Sequence, residues 1–193
     1  MAEELFDRLV DAFEGGRAAV FCGAGISAPA GIPLAGALVD AALEALEATA
    51  EERQHIGTAA LPFEAFMETL RLEGTHEDHL LIFREGSPAP AHALFAALAA
   101  RGFLRTLCTT NFDLLFERAF AARGLPPGTP KLIKVHGSVD DLESMAVTLR
   151  QVAGQTFSRP RAEAIRHVFL TGEHDTVLGR SDTAAPIASI SLP

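Results

Sequence analysis

The chain has 193 residues, 48% of them hydrophobic, enough to fill one core and too few for two ordinary domains, so a single domain over 1–193 is expected. Its formal charge of −9, with 16 Lys and Arg residues and no cluster of them, opposes a polyphosphate backbone and argues against direct nucleic-acid binding. No apolar run reaches the ~18 residues that cross a bilayer. The first residues, Met1-Ala2-Glu3-Glu4, lack the basic start of a signal peptide, so a soluble cytoplasmic protein with no membrane partner is the expectation.

In chain order, Leu5, Phe6, Leu9, Val10 and Phe13 recur at helical spacing and Gly15-Gly16 supplies a left-handed stop, which predicts an amphipathic first helix. Residues 17–22 form a short apolar run closed by Gly23, the pattern of a strand buried on both faces of a parallel sheet. From about 34 to 101 the text is rich in Ala, Leu and Glu, with breaks near 57–62, 73–75 and 86–90; it predicts an inserted segment of four helices and no strand. A second buried strand is expected at 104–108, followed by Thr109-Thr110-Asn111-Phe112-Asp113 and a helix to about 122. A third strand at 131–135 is closed by His136-Gly137-Ser138. Helices at about 141–154 and 160–170 and a very short fourth strand at 175–178 complete the order.

Three strands that each end in a polar loop holding Gly or Asn describe an α/β fold, a Rossmann-like doubly wound parallel sheet. Its ligand lies outside the carboxyl ends of the strands, where the winding reverses. The three loops are therefore expected to converge.

Gly23-x-Gly25-x-x-Ala28 follows a strand, the context in which a glycine motif cradles a diphosphate: glycines let the backbone approach it, and amide groups at a helix start favour its charge. A purely structural tight turn is the alternative. An ordinary dehydrogenase would carry an acidic ribose ligand after a second strand some 20 residues on, whereas residues 39–44 here read as helix. Asn111 and Asp113 stand at a strand-to-helix junction, where such residues also serve as caps. His136 would project at the carboxyl edge of the sheet. The other six histidines, His55, His76, His79, His92, His167 and His174, show no metal-ligand spacing and read as surface or packing residues, so no metal is expected. Cys22 and Cys108 lie inside apolar runs and read as buried thiols.

Taken together, Gly23-Ala24-Gly25-Ile26-Ser27 with Gly31-Ile32-Pro33, then Thr109-Thr110-Asn111-Phe112-Asp113, then Val135-His136-Gly137-Ser138 resemble the three ordered motifs of the sirtuin family. Val177-Leu178-Gly179-Arg180-Ser181 looks like the late glycine-serine loop that closes on the nucleotide in that family. Residues 61–68 and 136–141 look more like the bacterial sirtuin-like domains that lack zinc, several of which hydrolyse NAD, often in defence against phage.

The resemblance implies NAD as substrate. It makes His136 the base and Asn111 the group that positions the attacking water or ribose; Gly23, Ala24, Gly25, Ser27, Thr110, Asp113, Gly179 and Ser181 would bind the nucleotide. The pyridinium leaving group is already cationic, so a positioned nucleophile and a base near neutral pKa are what the chemistry asks for. The chain departs from sirtuin deacetylases in two respects. It has two cysteines where a tetrathiolate zinc needs four, and Leu34-Ala35-Gly36 where they carry Asp-Phe-Arg.

The short, Pro-rich stretch from 122 to 131 leaves no room for a further strand, and the end soon after 178 reads as an abbreviated edge or a fragment. The expected activity is an NAD glycohydrolase, with an NAD-dependent protein deacylase or a non-catalytic NAD or ADP-ribose sensor as the alternatives. A homo-oligomer or a regulatory protein would be its macromolecular partner.

Overall fold

Short runs of Ala, Val, Leu, Ile and Cys pair side by side into one sheet. In the computed structural model, which describes residues 2–59, 61–72, 74, 76–153, 159–170, 176–180 and 187–190, the strands are β1 (Ala18–Cys22), β2 (Thr106–Thr109), β3 (Lys131–Lys134), β4 (Thr176–Arg180) and β5 (Ile187–Ile190). They lie in the order β3-β2-β1-β4-β5, with the first four parallel.

Side chains alternate across this sheet as strand geometry requires. Val20, Cys22, Leu107 and Leu132 pack on the face covered by α6 (Pro90–Ala100) and α7 (Leu115–Ala122). Ala19, Phe21, Cys108 and Ile133 pack against Ala164, Ile165 and Val168 of α9 (Arg159–Leu170) on the other. Helices on both faces explain why the strands read as continuous apolar runs instead of alternating ones.

The chain winds outward from β1 to β2 and β3, then crosses the other face to reach β4 on the far side of β1. The reversal therefore falls between β1 and β4, where Gly23 leaves the sheet. One feature was not anticipated: β5 pairs antiparallel to β4, with a register shift between Val177 and Gly179. A four-residue strand carries only two side chains per face, too few to show a period, so its ladder partner defines it.

Helix α1 (Ala2–Glu14) forms and ends at Gly16, whose φ of +63° is the left-handed stop expected there. Its Phe13 packs on the core while Phe6 stays 64% exposed. The inserted segment holds five α-helices instead of four: α2 (Ala35–Ala45), α3 (Ala50–Ala59), α4 (Phe63–Leu72), α5 (His76–Leu80) and α6. The additional interruption comes at 46–49, where Glu47 takes φ +54° and Thr49 opens α3 with a reciprocal cap. The Glu52 carboxylate accepts the Thr49 N–H at 2.8 Å, and Thr49 Oγ1 accepts the Glu52 N–H at 3.3 Å. Gly57, read as a break, lies inside α3.

The helix expected at 141–154 is shorter. After a single turn at Leu142–Ser144 the chain extends and then forms α8 (Leu149–Ala153), capped by Thr148 and Gln151. None of the described helices is long and apolar enough to cross a membrane.

Candidate functional site

Where β1 ends, Gly23 adopts ordinary extended backbone (φ −107°, ψ −177°), and the chain folds into two single 3₁₀ turns, Ala24–Ile26 and Ala28–Ala30. The amides of Ile26 and Ser27 donate to the carbonyls of Gly23 and Ala24 at 3.1 and 2.9 Å. The regular helix start expected after the glycine motif is thus replaced by tight turns that use part of the loop's own amide supply. Ala24 lines a cavity beside the loop, whereas Ser27 turns inward and is fully buried. Gly179 sits in β4 opposite Phe21, one register position before the pair Cys22 and Arg180 that ends the two strands. Ser181 lies outside the described residues.

The loop after β2 packs directly against this turn. Thr110 donates its N–H to the Cys22 carbonyl at 3.1 Å, and the Asn111 N–H reaches Thr109 Oγ1 at 3.0 Å. Asn111 is 5% exposed; its Nδ2 donates to Ser27 Oγ at 2.9 Å, and its Oδ1 has no hydrogen-bond partner. A buried, unsatisfied amide oxygen costs stability unless a ligand or water completes it. Asp113 lines the same cavity, and its Oδ1 accepts the N–H of Leu115, the first residue of α7, at 3.0 Å. Asp113 therefore acts as a turn former before α7, where Leu114 is the cap residue, and still lines the cavity.

His136 follows β3, and its carbonyl accepts the Ala146 N–H at 2.7 Å. Gly137 makes that closure feasible. Its φ is +96°, and a Cβ there would run into the Ser144 carbonyl and come within 2.7 Å of Met145 Cα. Burial pushes the His136 imidazole below its ordinary pKa. The Glu64 carboxylate opposes that shift and the Arg161 guanidinium adds to it. At neutral pH the ring is therefore uncharged.

Ala24, Thr110, Asn111, Asp113 and His136 share a cavity of about 210 Å³. The inserted segment closes it with Phe63, Glu64 and Phe83. Arg84 ties that segment to the histidine loop, donating through Nε and Nη2 to the Val139 carbonyl at 3.3 and 3.2 Å.

Two residues were not singled out by the sequence motifs. Glu64 places a negative charge beside His136. His92, read only as a surface or packing residue, is fully buried with Nε2 3.3 Å from Ser27 Oγ. A signal for it was present: His92 is the one polar side chain in the otherwise apolar helix α6. Burial raises Cys22 to about 12 and Cys108 to about 11, so both are neutral thiols, and no His, Cys, Asp and Glu group suited to a metal occurs among the described residues.

No protein-family model and no curated protein matches the chain. Solved structures do. A structure described as the basis for the mechanism and regulation of Sir2 enzymes is 24% identical with a TM-score of 0.45, covering 72% of this chain and 48% of its own. A Sir2 homologue in complex with NAD is 24% identical with a TM-score of 0.42, covering 68% and 45%. A Sir2 protein with p53 peptide and NAD+ is 27% identical with a TM-score of 0.38, covering 68% and 45%. The chain spans less than half the length of these structures. The overlaps are partial, and the chemistry of the site rests on its own residues.

Proposed function

We propose that residues 1–193 form one NAD-binding domain that hydrolyses NAD to nicotinamide and ADP-ribose, in the manner of the bacterial sirtuin-like hydrolases that its motifs resemble and that act in defence against phage. The observation that carries this reading is the free Oδ1 of Asn111, buried in a cavity shared with an uncharged histidine. A fixed acceptor and a neutral base are what an attacking water needs. The cavity is smaller than the ~300–1,000 Å³ of pockets for whole drug-sized ligands, which suits the nicotinamide ribose, with the diphosphate running past Gly23, Ala24 and Gly25.

In this mechanism Asn111 Oδ1 accepts a hydrogen bond from water and holds it against the ribose C1′. His136 takes the water's other proton as the C–O bond forms. The N-glycosidic bond breaks with its electron pair going to the pyridinium nitrogen, so nicotinamide leaves neutral and needs no acid. Glu64, in the same cavity, offsets the positive charge that develops on the ribose and on His136. Asp113 and Thr110 hydrogen-bond the nucleotide.

The test is nicotinamide release from NAD by the purified chain, with and without an acetyl-lysine peptide. Release without peptide is expected. Release only with peptide would identify a deacylase, and binding of NAD with no release would identify a sensor.

A further inference from the structure

We propose that His92 is a positioning residue that fixes the orientation of Asn111 through the Ser27 hydroxyl. The inference deepens the NAD-cleaving reading and rests on it for its kinetic arm.

Helix α6 begins at Pro90 with Ala89 as its cap residue, and His92, three positions beyond the cap, reaches back so that the Ala89 N–H donates to its Nδ1 at 3.1 Å. The ring is held in plane by Phe116, edge to face at a centroid distance of 4.7 Å. A neutral imidazole whose Nδ1 accepts must carry its proton on Nε2. Burial keeps the ring neutral, although the charge of Asp113 opposes that effect. Nε2–H is therefore the donor in the 3.3 Å contact to Ser27 Oγ.

That assignment has a consequence two side chains away. The Nε2–H of His92 anchors the position of Ser27 Oγ, and Asn111 Nδ2 donates to the same oxygen at 2.9 Å. The amide is turned so that nitrogen meets Ser27 and Oδ1 is left for water. Without that anchor the Ser27 side chain can leave its rotamer, the Asn111 nitrogen loses its acceptor, and the amide turns over to present nitrogen where the attacking water needs an acceptor.

Two conservative variants separate positioning from simple helix capping. Gln reproduces the Nε2–H donor of histidine but not its Nδ1 acceptor, and Asn does the reverse. Asn111 is the only asparagine in the chain, so ¹⁵N-asparagine labelling of the wild type gives a single side-chain amide pair whose shifts report its orientation. In the His92→Asn variant residue 92 adds a second pair, and the pair missing from an otherwise identical Asn111→Asp control is that of Asn111.

The expected result is that His92→Gln keeps the wild-type amide shifts and most of kcat. His92→Asn shifts the Asn111 amide and lowers kcat by roughly 100-fold with KM little changed. Capping alone gives the opposite order, with Asn benign and Gln lowering the melting temperature. On a Ser27→Ala background, His92→Asn is expected to cost no further kcat. An Asn variant with wild-type shifts and kcat, a Gln variant that loses both while melting normally, or additive losses on the Ser27→Ala background would overturn the proposal. Should the wild type release no nicotinamide, the NAD-cleaving reading falls, and the amide shifts still decide the role of His92.

Discussion

A histidine acts as a base only while it is uncharged, and His136 sits where burial keeps it so. Replacing it with alanine is expected to lower kcat by about 10²- to 10⁴-fold while leaving NAD affinity nearly intact, because the role proposed for it is exercised in the transition state. Isothermal titration beside nicotinamide release checks this, and near-normal turnover would remove His136 from the mechanism. Glu64 sharpens the test. Its charge raises the pKa of His136, so Glu64→Gln lowers that pKa and moves the acid limb of the pH–rate profile to lower pH. An unmoved limb would show that His136 is not the titrating group. His136, Asn111 and Asp113 were legible in the sequence because strand ends point at the crevice of such a sheet. Glu64 and His92 were not, since helical periodicity does not say which face of an inserted helix meets a loop far away in the chain.

At the scale of elements, the histidine loop depends on Gly137. Alanine there would combine a left-handed backbone penalty with a clash against the 144–145 backbone, a destabilisation of roughly 2–5 kcal/mol. Urea unfolding of Gly137→Ala measures it, and a change below 1 kcal/mol would mean that the loop simply moves aside. Thr49→Ala is a useful contrast: losing one exposed cap is expected to cost about 1 kcal/mol and to leave turnover unchanged. The Thr49 and Glu52 pair stood in the sequence as a capping signature, yet Gly57 drew the break instead. Glycine costs a helix interior only about 1 kcal/mol relative to alanine, and α3, which buries no residue, tolerates it. The strands before the three motifs were readable because helices cover both their faces. The fifth was too short to show any pattern.

For the whole molecule, His92 and His136 link folding to pH. Both are held below the ordinary imidazole value in the folded chain and titrate near 6.5 when unfolded. As pH falls from about 6.5 through the folded values, the unfolded chain binds protons that the folded chain refuses, so stability declines; above that window neither group affects it. Melting temperatures across this range are expected to fall on the acid side in the wild type and less steeply in His92→Gln. An equal slope in the two would show that His92 carries none of the linkage.

The hydrophobic interior is divided. One cluster joins Ile32 and the inserted helices before α6 to Val139, Met145 and Val147, while the sheet packs against α6, α7 and α9 in two others. The cavity lies along this seam, with Phe63 and Phe83 from the first body facing Thr110 and Asn111 from the second. A nucleotide that touches both sides acts as a non-covalent staple between them. Its signature would appear in the breadth of the melting transition as well as its midpoint, and in slowed amide exchange within inserted helices that never contact the ligand.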